Sequence, residues 1–249
     1  MVSNRKRALA AVAAGSMAVA LAACGGGATP PKAGSSGGTL YYFIFKPYEH
    51  TDPQRTYVGQ ELSNLSRTVY RSLVSFPIST STDPKVAEKV TPDLATDAGT
   101  SSNGAKTWSF TIKPGVKWQD GKDITCADFQ YGASRVFSTD VITGGPNYLL
   151  AYLDIPTDPK TSLPVYDGPY KKHNQAAFDK AITCSGKTIT YHFKKPWADF
   201  NLAVASLHMM DPYRKDKDHG DKSNFQIFSN GPYKLQGPWA KEKGATLVR

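Results

Sequence analysis

The 249-residue sequence has little of what metal and redox sites are usually built from: it contains 3 cysteines, 5 histidines and 4 methionines. No CxxC or paired-histidine spacing occurs, so a zinc site is not expected and no cofactor is predicted. A P-loop motif is also missing. Asp93 and Asp97 have helical spacing, but beside Pro92 they are more typical of a helix start than of two catalytic carboxylates. These absences argue against an enzyme.

The sequence also lacks any run of five or more basic residues, although its formal net charge is +9. Lysines and arginines that are scattered in this way are typical of solvated faces rather than of a nucleic-acid interface. Nucleic acid is therefore not predicted as a partner.

The first 38 residues have the layout of an export signal followed by a linker. Three basic residues at positions 5–7 precede an apolar stretch, 8–23, that contains no charged residue. A membrane-spanning helix needs about 20 apolar residues, so this shorter stretch favours a signal peptide over a permanent span. The stretch closes with Leu21, Ala22, Ala23 and Cys24, which resembles the lipobox of bacterial lipoproteins.

This layout predicts a signal peptide over 1–23, a lipid on Cys24 and a flexible Gly/Ser/Pro-rich linker over 24–38. The folded part is then expected at the cell surface or on the periplasmic side of the cytoplasmic membrane, with a lipid anchor as its membrane contact. Cys126 and Cys184 remain as an even pair in an oxidising compartment, and we expect a disulfide between them. Two buried free thiols are the alternative.

The rest of the chain mixes helix and strand patterns. Apolar residues alternate strictly over 106–112 and again over 187–193, as half-buried strands require. Helical spacing appears over 56–70, and Thr125 with Asp128 forms a capping box that predicts a helix start. The aromatic and β-branched run 39–45 predicts a first buried strand.

Four stretches together resemble a known family, and their order and spacing carry the resemblance more than any one of them. They are Asp52 and Pro53 followed by Val69 to Val74; Pro92 to Ala95 followed by Gly104 to Gly121 and Thr125 to Phe129; Thr188 to Phe193 with Lys195, Pro196 and Phe200; and Asn230 to Leu235. The sequence resembles the family 5 solute-binding proteins of ABC importers, which include oligopeptide, dipeptide and nickel binders.

The resemblance implies a mixed α/β fold of the periplasmic-binding-protein-like class II type, in which two lobes close on a ligand. Members are usually about twice as long, so this chain is expected to supply only the first lobe and the side domain, as a fragment. We expect the first lobe over 39–74 and 186–249 and the side domain over 75–185. The implied partners are a peptide ligand and the membrane permease, and the expected state is a monomer.

The resemblance also suggests which residues contact ligand. Loose positional agreement nominates five: Phe45, Tyr57, Tyr148, His208 and Met209. Each has a structural alternative: loop packing for Tyr148, core packing for Phe45 and Met209, the inner helix face for Tyr57, and a satisfied or surface histidine for His208.

Oligopeptide capture for import is the function that the resemblance favours. A surface sensor or interaction lipoprotein with the same fold is one alternative, and a binder of another solute, such as a nickel chelate, is a second. Sparse methionine and histidine favour peptide over nickel or haem.

Overall fold

The computed structural model describes residues 38–249, which fall into two units divided between Ile44 and Phe45. The predicted signal peptide, Cys24 and all but the last residue of the predicted linker lie outside the described residues. In the first unit, residues 38–44 form no helix or strand, and the side chains of residues 40–43 are exposed. The buried strand predicted for 39–45 is therefore wrong. None of the described sheets includes these residues, and an unpaired strand would leave its backbone groups without partners.

The second unit, 45–249, mixes helices with short antiparallel strands, as the sequence predicts. The α-helices are α1 Gly59–Thr68, α2 Pro84–Ala87, α3 Cys126–Arg135, α4 Tyr148–Tyr152, α5 Gln175–Ala181 and α6 Phe200–Ser206. Short 3-10 helices cover Pro53–Arg55, His208–Met210, Lys215–Lys217 and Gly220–Ser223. The strands are β1 Val74–Ser75, β2 Thr91–Pro92, β3 Thr100–Ser102, β4 Thr107–Thr111, β5 Ile182–Ser185, β6 Thr188–His192, β7 Lys234–Ala240 and β8 Gly244–Val248.

A four-stranded antiparallel sheet with the order β3-β4-β6-β5 organises the middle of this unit. Trp108 and Phe110 of β4 lie opposite Tyr191 and Ile189 of β6, and all four are buried. The alternate residues of β4 are half-buried on the other face, as the alternation over 106–112 predicts.

One side of the sheet is covered by helices. The predicted capping box is present at the start of α3, where Thr125 and Asp128 satisfy each other's backbone amides. Both α3 and α5 pack against β5 and β6. Phe200, the first residue of α6, is fully buried among the aromatic rings of β4 and β6. The sheet and its helices therefore share one hydrophobic core.

The predicted boundary between the side domain and the first lobe, at 185/186, runs inside the tight β5–β6 hairpin, whose strands pair in register from Ile182–Tyr191 to Ser185–Thr188. A second hairpin, β7–β8, occupies the C-terminal part of the chain. Over residues 38–249, no helix combines the length and the apolar character needed to cross a bilayer.

Candidate ligand-binding site

A short buried segment, 51–56, leads to the first candidate residue. Asp52 caps the 3-10 helix Pro53–Arg55 by accepting a hydrogen bond from the backbone amide of Gln54 at 3.2 Å. All six residues are buried. Five of them, including Arg55, have polar or charged side chains, which need hydrogen-bond partners when they are buried. Tyr57, which follows at once, is 47% exposed. The segment therefore acts as a fixed support for Tyr57.

Arg135, the last residue of α3, binds this segment through hydrogen bonds to two of its side chains. Its guanidinium donates to both carboxylate oxygens of Asp52, at 2.7 and 2.5 Å, and to Gln54 Oε1 at 2.5 Å. Its Nε donates to Asp218 at 3.0 Å, and the ring of Tyr213 lies 3.7 Å from the guanidinium carbon. We call these five residues the Arg135 cluster. The cluster joins distant parts of the chain, because Asp52 and Asp218 are each 83 residues away from Arg135 in the sequence.

The second carboxylate of the cluster stays charged. Burial by itself raises the pKa of Asp218, but the Arg135 guanidinium and the hydroxyls of Tyr170 and Tyr131, each 2.8 Å away, outweigh burial and hold that pKa below its usual value. The Arg135 cluster is thus one buried cation between two carboxylates.

Arg55 fastens a second loop to the same segment. Its side chain donates to the carbonyl oxygen and the hydroxyl of Thr143, at 3.1 and 3.0 Å, and to the Asp221 carboxylate at 2.8 Å. At Gly145, a Cβ would lie 1.9 Å from the carbonyl oxygen of Gln54, so only glycine permits this close approach. The loop that leads to Tyr148 is therefore packed directly against the segment that leads to Tyr57.

These two supports bring Tyr57 and Tyr148 together. Their hydroxyl oxygens are 2.6 Å apart and their rings meet edge to face, with centroids 6.4 Å apart. Tyr148 is 41% exposed, whereas the next residue of α4, Leu149, is fully buried. The hydrogen bond with Tyr148 raises the pKa of the Tyr57 hydroxyl. The pair presents two aromatic rings and a shared hydroxyl edge to solvent.

The other three nominated residues lie elsewhere. Phe45 is 96% exposed, whereas His208 and Met209 are both buried residues of the 3-10 helix His208–Met210. His208 Nδ1 is 2.5 Å from Asp211 Oδ2 and its Nε2 is 3.3 Å from the carbonyl oxygen of Leu62, so it is a satisfied histidine. Ligand contact by Phe45, His208 and Met209 stays a prediction, and the burial of the last two leaves their side chains no open face here.

Sequence reasoning missed the residues that hold the tyrosine pair: Asp52, Gln54, Arg55, Arg135, Thr143 and Asp218. Asp52 belongs to the first of the four stretches that resemble the family, but the resemblance does not indicate what its side chain does. Arg135 lies in the last turn of α3, where a charged side chain is normally exposed to solvent. Nothing in the local pattern indicated that it would be buried.

The two remaining cysteines are joined in the structure by a disulfide, Cys126–Cys184, with 5.9 Å between Cα atoms. Within residues 38–249, no three or more His, Cys, Asp or Glu side chains come together in a way that could hold a metal ion.

Comparison with known proteins agrees with this fold. The family model described as bacterial extracellular solute-binding proteins, family 5 Middle, matches residues 89–249, which is more than half of the chain. The protein is thus a bacterial extracellular solute-binding protein by class. Within this class, the chain belongs to family 5.

Individual relatives cover most of this chain but match with only part of their own length. The periplasmic oligopeptide-binding protein OppA of Salmonella typhimurium is 26% identical over 197 residues, covering 77% of this chain and 32% of OppA. The structure of clavulanic acid biosynthesis oligopeptide binding protein 2 is 28% identical, with a TM-score of 0.65, and covers 77% of this chain and 32% of that one. The substrate-binding domain of an oligopeptide ABC transporter from Bacillus anthracis shares the fold, with a TM-score of 0.57 and 19% identity, over 81% of this chain and 36% of that one.

The chain therefore spans about a third of the length of the relatives it matches. The match to the first two supports the periplasmic-binding-protein-like fold, of which the described residues form a part.

Proposed function

We propose that this protein is a substrate-binding lipoprotein of an ABC importer, which captures oligopeptides outside the cell and delivers them to a membrane permease. Relatives that match over most of this chain are named as oligopeptide-binding proteins, and the family is extracellular. The lipid anchor on Cys24 and the permease partner belong to this proposal.

The Tyr57–Tyr148 pair is the observation that carries the peptide assignment. A peptide offers backbone amides and carbonyls together with side chains of every kind. A tyrosine ring packs on apolar groups without demanding one shape, while its hydroxyl both donates and accepts a hydrogen bond. Two tyrosines supplied by segments 91 residues apart, each half-exposed and each fixed from behind, fit this kind of tolerant recognition.

Rigid support adds to this argument. Side chains that are already ordered before a ligand arrives lose little entropy on binding. Arg55 and the Arg135 cluster order the backbone on which both tyrosines stand. The exposed rings can therefore act as one preformed wall of a binding site.

Isothermal titration calorimetry with a mixture of short peptides tests the proposal. We expect heat of binding to peptide, and Tyr57→Ala or Tyr148→Ala should weaken the affinity about tenfold, as loss of a central aromatic contact does elsewhere. Leu163→Ala is the matched control. Leu163 is also exposed but belongs neither to the tyrosine pair nor to the Arg135 cluster, so peptide affinity should be unchanged.

Binding of a sugar or a metal chelate with no heat from any peptide would reject peptide capture. Peptide binding that is equally strong in the Tyr57→Ala, Tyr148→Ala and wild-type proteins would keep the function but reject this site.

A further inference from the structure

The Cys126–Cys184 disulfide joins two very different surroundings. Cys126 is the first residue of helix α3 and is only 6% exposed. Cys184 lies on β5, which is an edge strand of the four-stranded sheet, and is exposed to solvent. The two ends of one covalent bond thus differ in their access to solutes.

We propose that this disulfide is a covalent modification site for low-molecular-weight thiols. The incoming thiolate attacks the sulfur of Cys184 and displaces Cys126. The inference is independent of peptide binding.

The direction of attack follows from access. Thiol–disulfide exchange requires a thiolate to approach one sulfur in line with the bond that breaks, and exposed disulfides are the labile ones. Cys184 is exposed to solvent, whereas Cys126 is covered. Attack is therefore directed to Cys184.

The position of Cys126 favours its departure. Its sulfur becomes a thiolate at the first residue of a ten-residue helix, where the helix dipole stabilises negative charge. Cys126 also lines a cavity of about 160 Å³ together with two cationic residues: Lys187, and Lys113, whose ammonium group donates to the carbonyl oxygen of Asp93 at 2.7 Å.

Two carboxylates lie nearby and oppose this effect, but both are already engaged. Asp123 lines the same cavity and pairs with Lys117 at 2.7 Å. Asp128, in the first turn of α3, accepts hydrogen bonds from the Thr125 backbone amide at 2.8 Å and from the Thr125 hydroxyl at 3.0 Å. The carbonyl oxygen of Thr188 lies 3.7 Å from Cys126 Sγ and also opposes a negative charge, so the helix start is the feature that favours the departure of Cys126.

The first step conserves oxidation state. One thiolate, RS⁻, forms the mixed disulfide R–S–S–Cys184 and releases the Cys126 thiolate, which takes a proton from water. A second RS⁻ then attacks the R sulfur of the mixed disulfide and releases the Cys184 thiolate with R–S–S–R as the other product. The protein gains two electrons and two protons, and two molecules of the small thiol are oxidised.

Mass spectrometry of the folded protein tests the proposal. The protein is incubated with reduced glutathione, quenched with acid and alkylated with N-ethylmaleimide before digestion. We expect glutathione on Cys184 and the alkyl label on Cys126. The opposite pattern, with glutathione on Cys126, would overturn the proposed direction of attack.

The rate of thiol–disulfide exchange provides a second measurement, which uses the wild-type protein alone. If attack occurs on the folded protein, the rate should rise linearly with glutathione concentration and stay well above the rate of global unfolding measured by circular dichroism. A rate that levels off at the unfolding rate, or exchange seen only in urea, would overturn the proposal.

Discussion

The sheet core and the Arg135 cluster are both buried, but different interactions fill them. In the sheet core, Phe200 packs ring to ring against Trp108, Phe110, Tyr191 and Phe193. In the Arg135 cluster one buried cation satisfies two buried carboxylates and an amide. Loss of an apolar contact reduces the packing of the core. Loss of an ionic partner leaves a buried charge without compensation, which costs more free energy. Equal burial therefore does not imply equal tolerance to change.

Arg135→Met tests this contrast where the expected effect is largest. The substitution keeps much of the side-chain volume but leaves Asp52 and Asp218 buried without their cation, and such losses cost about 3–5 kcal/mol. Urea denaturation followed by circular dichroism measures the free energy of unfolding. Lys117→Met, which breaks the exposed pair with Asp123, is the control and should change stability little.

The corresponding change in the sheet core is Phe200→Leu. An apolar replacement there removes some ring contacts and breaks no hydrogen bond of the Phe200 side chain, so we expect a loss of about 1–2 kcal/mol. If Phe200→Leu costs as much as Arg135→Met, the distinction between the two regions fails.

The His208–Asp211 pair sharpens the contrast through pH. Burial by itself would lower the pKa of His208, but the Asp211 carboxylate and the carbonyl oxygen of Leu62 face its two ring nitrogens and raise that pKa above 6.5 overall. The ring of Tyr70 packs against the imidazole, and Ser72 donates to the other oxygen of Asp211. With acceptors at both nitrogens, the protonated imidazolium is the form that fits the folded state.

A raised folded pKa gives stability that is fully present below pH 6.5 and is lost as pH rises through the folded pKa of His208. We expect the free energy of unfolding to fall in that window by no more than about 1.4 kcal/mol per pH unit. The difference between the wild-type and His208→Gln curves isolates this residue from other titrating groups. Parallel curves above pH 6.5 would contradict the prediction.

The same contrast separates what sequence could predict from what it could not. Strict alternation predicted β4 and β6, and the Thr125–Asp128 spacing predicted the start of α3, because each signal depends on neighbours within a few residues. The Arg135 cluster depends instead on a bond between residues 83 apart. No periodic pattern encodes such a pairing, so the supports of the tyrosine pair became visible only in three dimensions.

The prediction for 39–45 failed for a related reason. Its aromatic and β-branched residues have high strand propensity, but propensity does not supply a neighbouring strand, and the described sheets do not include this run. For the candidate site, Tyr57 and Tyr148 could be nominated from the resemblance. Their contact could not, since it follows from Arg55 and from the close approach at Gly145.

The smallest expected effect lies at the exposed tyrosine pair, where we expect a change in titration with little change in stability. The hydroxyl of Tyr148 raises the pKa of Tyr57 above its ordinary value of 10.0, because their hydrogen bond favours the neutral phenol. Tyr148→Phe removes that hydroxyl and keeps the ring, so the pKa of Tyr57 should return toward 10.0. Tyrosine ¹³Cζ chemical shifts followed from neutral to alkaline pH would measure it residue by residue. In Leu163→Ala the Tyr57 titration should be unaltered, since Leu163 is exposed and lies outside the tyrosine pair and the Arg135 cluster. An unchanged Tyr57 curve in Tyr148→Phe would mean that the two hydroxyls do not meet in solution, and the preformed wall proposed for peptide binding would lose its basis.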